Sequence, residues 1–279
     1  LYAAIPPVTA TTMFTRSILP HDPVTRGAPE PTGRGAPRLG LVCTVVIDVA
    51  PSPGGSARLL AVRDEDPQRP WDDLGEWWPD SHPGVIGIRD RRAGGAWLAA
   101  DPASGRLAVL LNRADVLDLP DDAVRSRGSL ALESVAGRSP DGPPPMHGFN
   151  LLEVTPDGSR VLSWDGTELR ESSVPEGVHM IAHDDLDDPR TARIEAWLPR
   201  FAAAMPERAG EGPAEAWVDG WVSVLGESAA LSPEDDRAIV RDNRVHGYPT
   251  MSLLFCTAEV SPGAVDLRSR VLARPGHWN

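Results

Sequence analysis

The chain has 279 residues, 41% of them hydrophobic, with 29 prolines and 26 glycines, a length that suits one large domain or two small ones. A formal net charge of −13 argues against a nucleic-acid partner, because phosphate backbones are bound by clustered cations. No apolar run approaches the ~18 residues needed to span a bilayer, and two cysteines, Cys43 and Cys256, supply neither a disulfide framework nor a four-thiolate zinc site.

A reduced, cytoplasmic protein is therefore expected. All 27 of its Lys and Arg positions are arginine, which rules out lysine-based Schiff-base or general-base chemistry. Residues 1–42 read as a disordered leader: "TRGAPEPTGRGAPRLG" is rich in Pro, Gly and Arg and has no sustained hydrophobic period. The opening residues show no basic start followed by an apolar core, so no secretory signal is read there.

At Cys43 the texture changes. "CTVVIDVA" and "ARLLAVRDE" are short strand-like runs joined by the turn-rich "PSPGGS". "GVIGIRD", "GAWLAAD" and "GRLAVLLN" follow, the last two joined by "PASG". "GFNLLEVT" and "GSRVLSWDG" meet at "PDG", and "TELRESSV" adds a further strand. Helical spacing then appears at Ile194, Trp197, Leu198 and Phe201, and again at Trp217, Trp221, Val224 and Leu225, with Pro213 at a first-turn position. "SPEDDRAIV" presents an N-cap-like Ser232 and an acidic first turn, which predicts a third helix. "TMSLLFCTAEV" and "VDLRSRVLA", joined by "SPGA", return to strand. Strands, helices, then strands suggest a layered α+β domain.

Cys43 has two readings. A buried thiol is commonly inert packing. If the working chain began at Cys43, however, a free α-amine with a pKa near ~8 would stand beside the thiol and serve as its general base. Val42 fits that second reading, since a valine codon serves as a bacterial start read as methionine and trimmed before a small residue. "AVRDED" brings Arg63, Asp64 and Glu65 to a strand end, where an arginine lowers a thiol pKa and a carboxylate orients an ammonium. "RPWDDLGEWWPD" concentrates Trp71, Trp77 and Trp78 in one loop, either a flap over an apolar ligand or a loop pinned by its rings. Asn112 ends a strand where its amide would donate to an oxyanion; Asn150 is less distinctive. The seven histidines are scattered, "HMIAH" lacks the glutamate of a zinc helix, and no metal site is expected. No phosphate loop and no serine nucleophile elbow is present.

"CTVVIDV", "LAVRDEDPQRPWD", "GGAWLA…GRLAVLLN", "RGSL" and "HGFNLLEV", in this order, resemble the NRDE proteins, which include the transport and Golgi organisation protein 2 family. "AVRDED" is the signature, with Val62 where the name-giving Asn stands in the family. The family is similar to the cysteine N-terminal-nucleophile hydrolases, which implies a four-layer αββα sandwich over residues 43–279. The resemblance implies Cys43 as nucleophile and mature N-terminus, Arg63 and Asp64 beside the thiol, and Asn112 as oxyanion or positioning amide. His183 stands where the family commonly has a second oxyanion asparagine, and the arginine of a late motif is missing from "HGYPTMSLLF".

The expected function is hydrolysis of an amide or related acyl compound through an acyl-thioester on Cys43. The alternative is a non-catalytic carrier, motivated by the tryptophan loop and the altered motifs, for which the resemblance implies haem or an acyl-lipid metabolite as ligand; no other cofactor is expected. Either way the partner is a small hydrophobic or acyl-containing molecule. A third class, a scaffold that uses the fold for interaction, has less support from the surviving motif order.

Overall fold

Alternation of buried side chains along the strands sets the architecture. A computed structural model describes residues 43–51, 55–117, 119–120, 122–206 and 215–278; the leader expected over 1–42 and the first-turn position of Pro213 lie outside the described residues. Strands β1 (Thr44–Val49), β2 (Ala57–Glu65), β10 (Gly177–Ile181), β11 (Met251–Ser261) and β12 (Ala264–Val271) form one sheet in the order β10-β1-β2-β11-β12. Strands β3 (Trp71–Gly75), β4 (Ile86–Asp90), β5 (Ala96–Asp101), β6 (Arg106–Asn112), β7 (Phe149–Thr155), β8 (Gly158–Trp164) and β9 (Leu169–Ser173) form the second in chain order. Both sheets are antiparallel throughout.

In the first sheet β1, β2 and β11 are buried on both faces, and the edge strand β12 is largely exposed. Val45, Ile47, Leu59 and Ala61 pack into a core shared with Ile88, Leu98, Val109 and Leu152 of the second sheet. Their neighbours Val46, Leu60 and Val62 face the opposite way, against helices α2 (Ala192–Ala203) and α3 (Ala216–Ser228). The outer face of the second sheet, Ala99, Ala108, Leu110 and Leu151, is covered by the six-residue α1 (Leu130–Val135). A one-residue slip of β1 or β2 would exchange these two apolar sets, so the register is strongly specified. The chain is a mixed α+β protein with two antiparallel sheets and few helices. Among the described residues no helix is long and apolar enough to cross a membrane.

Most strand and helix positions agree with the sequence reading; the exceptions have physical causes. Residues 232–240 form turns, not a helix. Their apolar residues Ala238, Ile239 and Val240 are consecutive, so no helical stripe exists, and Asp235 accepts from the backbone and side chain of Arg237 instead. β3, read as loop, is an edge strand whose pairing with β4 is broken by a register shift between Asp72 and Gly75. β10 and α1 are five and six residues long, too short to show a period.

Trp221 anchors the helical layer: fully buried, it packs edge-on to Phe201 and Trp217 at 5.8 and 5.3 Å and donates its indole N–H to the Phe201 carbonyl at 3.1 Å. Trp221→Ala is expected to cost ~3–5 kcal/mol in urea unfolding, and Trp221→Phe clearly less because a ring still fills the site.

Candidate active site

Cys43 immediately precedes β1, and the register Thr44↔Val62 brings it beside Arg63 and Asp64 at the end of β2. β1 is an interior strand, flanked by β10 and β2, so the thiol sits at the end of the sheet and not on an edge strand. The Asp64 N–H donates to Sγ at 3.4 Å, and the thiol donates back to the Asp64 carbonyl at 3.7 Å. The main chain of one residue thus holds the sulfur through two contacts. Cys43 is 3% exposed; burial pushes its thiol up to about 12, the Asp64 charge adds to this, and the Asp64 N–H and Arg63 oppose it. The sulfur is therefore a protonated thiol at neutral pH.

A cavity of about 430 Å³ opens here, and Cys43, Arg63, Asp64 and Asn112 all line it. Strand alternation sends Arg63 and Asp64 to opposite faces of the first sheet. Arg63, 2% exposed, stays on the side of Cys43; its Nη2 donates to Glu65 at 3.4 Å, its guanidinium lies 5.6 Å from the Trp71 ring, and its Nη1 has no partner. Burial lowers the Arg63 pKa against the opposing pull of Glu65. The Asp64 carboxylate turns to the helical side, where Ser252 Oγ donates to it at 2.6 Å. Burial raises that carboxyl to about 6, against the lowering effects of Arg193, Ser252, Arg241 and Asn243.

The remaining expected residues are placed elsewhere. Trp71, Trp77, Trp78 and His183 are absent from the cavity wall. Trp77 donates to the Asp73 carbonyl and lies under Arg89, and buried Trp78 donates to the Gly94 carbonyl, so these rings fasten their own loop. His183 lies 3.3 Å from the Asp184 carboxylate, and burial lowers its pKa. Asn150 proves structural: fully buried, it donates to the carbonyls of Ala182 and Asp184 and accepts from Ser163 and Arg113. It ties β7 of one sheet to the segment after β10 of the other.

Several wall residues lie within the quoted motifs but were not singled out in the sequence reading. Arg69 bridges Asp90 and Glu65, Trp97 presents an indole N–H without a partner, and Arg127 donates to the Gly148 carbonyl at 2.6 Å. The loop carrying Arg127 is seated by a glycine pair: a Cβ on Gly95 would stand 1.9 Å from the Gly128 carbonyl oxygen. "RGSL" contained this contact, but its partner lies some thirty residues away in sequence. Among the described residues no group of three or more His, Cys, Asp or Glu is placed to hold a metal ion.

Two measurements check these electrostatics. With residue 42 attached, iodoacetamide alkylation of Cys43, followed by peptide mass, should accelerate about tenfold per pH unit from pH 7 to 10; a plateau below pH 9 would contradict a thiol raised by burial. For Asp64, a folded pKa above the ordinary 3.8 means that stability from this group is present at low pH and is lost as pH rises from about 4 to about 6. Asp64→Asn removes that loss, so its urea stability relative to the wild type should improve across this window by ~2–3 kcal/mol.

The transport and Golgi organisation 2 family model matches residues 42–240, beginning one residue before Cys43 and running through both long helices. β11, β12 and Ser252 lie beyond the match. A comparison with curated proteins found no significant match. With most of its length covered by the family model, the chain belongs to the transport and Golgi organisation 2 family.

Proposed function

We propose that residues 43–279 form a cysteine N-terminal-nucleophile hydrolase of the four-layer αββα type, acting on an amide or related acyl bond once Cys43 is the first residue. The observation that carries this reading is the Cys43 thiol held between the N–H and carbonyl of Asp64, on a cavity that also takes in Arg63 and Asn112. The stacking of helices, two sheets and a short helix supports the fold assignment, and the family match supports the starting residue.

With residue 42 attached, the nitrogen of Cys43 is an amide and has no basicity. A thiol at about 12 then leaves roughly one molecule in 10⁵ as thiolate at pH 7. A free α-amine, with a pKa near ~8, changes this. It takes the thiol proton, and the sulfur attacks the carbonyl carbon to give a tetrahedral oxyanion. The C–N bond breaks as the leaving nitrogen receives that proton, and an acyl-thioester remains. Water, deprotonated by the same amine, attacks the thioester and releases the carboxylic acid and the thiol. Asn112 donates to the oxyanion, a contact of the kind worth ~10²–10³ in rate, and Arg63 keeps positive charge beside the sulfur.

Carriage of haem or an acyl-lipid metabolite is the weaker reading. The wall contains Arg63, Arg69, Arg127, Glu65 and Asp90, so the cavity does not fit an apolar macrocycle or chain, which would desolvate these charges without replacing their partners.

The test compares protein cleaved to begin at Cys43 with protein retaining residue 42, each incubated with a panel of N-acyl p-nitroanilides. The Cys43-first form should gain an acyl adduct by intact mass and release nitroaniline at least ~10²-fold faster, the usual contribution of a general base. Equal rates for the two forms, or an adduct that persists in Cys43→Ala, would sink the mechanism.

A further inference from the structure

We propose that the cavity beside Cys43 contains a carboxylate subsite built from Arg63 Nη1, the indole N–H of Trp97 and the Arg127 guanidinium, so that the acyl compound processed there is an anionic one carrying a carboxylate near the scissile bond. The substrate class rests on the hydrolase reading above; the subsite itself rests on the cavity.

Three observations converge. Arg63 and Trp97 are 2% and 7% exposed, both line the cavity, and each holds a buried N–H donor without a partner. Buried donors are nearly always satisfied in folded proteins, so two orphans on one cavity wall call for an acceptor that enters it. Second, the charges do not cancel. Arg69 is engaged by Asp90 and Glu65, the Asp64 carboxylate is bonded to Ser252 on the opposite face of the sheet, and Glu65 alone meets Arg63, at 3.4 Å. Arg127 is bonded through Nη1 to a neutral carbonyl; burial lowers its pKa, and Asp115 and Glu65 act on it in the opposite direction. Arg125, exposed, adds a further cation at the rim. Third, the donors stand on rigid supports: Trp97 lies within β5, Arg63 within β2, and the Arg127 loop is seated where Gly128 touches Gly95. A planar carboxylate offers two oxygens to such donors and forms charge-assisted bonds with a guanidinium. On this proposal the guest belongs to the acyl-containing class expected from the sequence and carries a charge, in place of the apolar guest that the tryptophan loop suggested.

The experiment uses the full chain and two small thiol reagents of nearly equal size, iodoacetate and iodoacetamide, with Cys43 modification followed by peptide mass at pH 9. Glutathione gives the intrinsic ratio of the two rates. The subsite predicts a ratio for Cys43 shifted toward iodoacetate by about tenfold or more, the effect of one charge-assisted hydrogen bond. N-acetylglycine should protect Cys43 from iodoacetamide, and N-acetylglycinamide should not. Trp97→Phe, which keeps a ring in place, and Arg127→Gln should each reduce the shift severalfold, while Arg127→Lys should retain most of it. A ratio equal to that of glutathione, or protection by both acetylglycine derivatives alike, overturns the subsite while leaving the hydrolase reading untouched. Failure of iodoacetamide to reach Cys43 at all overturns both. Hydrolysis of neutral and anionic amides at equal efficiency by the Cys43-first form overturns the substrate class and upholds the hydrolase.

Discussion

The antiparallel pairing of β1 with β2 is the constraint on which the site depends. With Thr44 opposite Val62, Cys43 falls beside the Arg63–Asp64 peptide, and the sulfur is bonded by both polar atoms of Asp64's main chain. The same register buries Val45, Ile47, Leu59 and Ala61 between the sheets. A slip by one residue would turn that whole apolar set toward the helices and move the thiol out of the cavity. Core and site are therefore secured by one set of ladder hydrogen bonds, so a substitution that loosens the hairpin is expected to disturb both together.

The two sides of β2 separate two kinds of charge. Toward the cavity, Arg63 is buried with one carboxylate near it and one donor unused. Toward the helices, Asp64 is buried with Ser252 bonded to it and the fields of Arg193 and Arg241 acting on it, while Arg193 also donates to Thr44 at 3.0 Å. Buried ions of this kind contribute little net stability, because desolvation offsets most of their attraction. Their presence on both sides of one strand end is easier to understand as placement: Asp64 and Thr44 on one face brace the two strand ends whose other face presents Arg63 and the thiol.

The strands were legible where alternation ran long enough. "ARLLAVRDE" coincides with β2 to the residue, since its apolar positions occupy both faces and its charges begin where burial ends. Cys43, Arg63, Asp64 and Asn112 were each legible at a strand end, and the family resemblance grouped them; all four line one cavity. Trp97, Arg69 and Arg127 were not legible. Each meets the cavity through a contact between segments distant in sequence, such as Gly95 against Gly128, and nothing local marks such a contact. The "SPEDDRAIV" turn misled for the opposite reason: its cap and acidic first turn are local signals, but without an apolar stripe they had no core to dock on. The tryptophan loop offered composition without direction, and composition alone does not say whether a ring covers a ligand or fastens its own backbone.

The last strand pair shows how one irregularity produces both faces at once. β11 pairs with β2 so that Ser252 lies opposite Asp64 and Leu254 opposite Arg63, with a register shift between them that leaves Leu253 as the extra residue. In a regular strand, Ser252 and Leu254 would point to the same face, because side chains repeat every two residues. The bulge breaks that rule. Ser252 reaches the carboxylate on the helical side, while Leu254 joins the inter-sheet core, where its aliphatic surface offers the neighbouring Arg63 no hydrogen-bond partner. Were Leu253 taken into the regular ladder instead, Ser252 and Leu254 would share one face, which would send a hydroxyl toward the guanidinium or a leucine toward the carboxylate. The bulge thus gives Asp64 Oδ1 a partner on the helical side and leaves Arg63 with an unused donor on the cavity side, and it is this donor that an entering acceptor would meet.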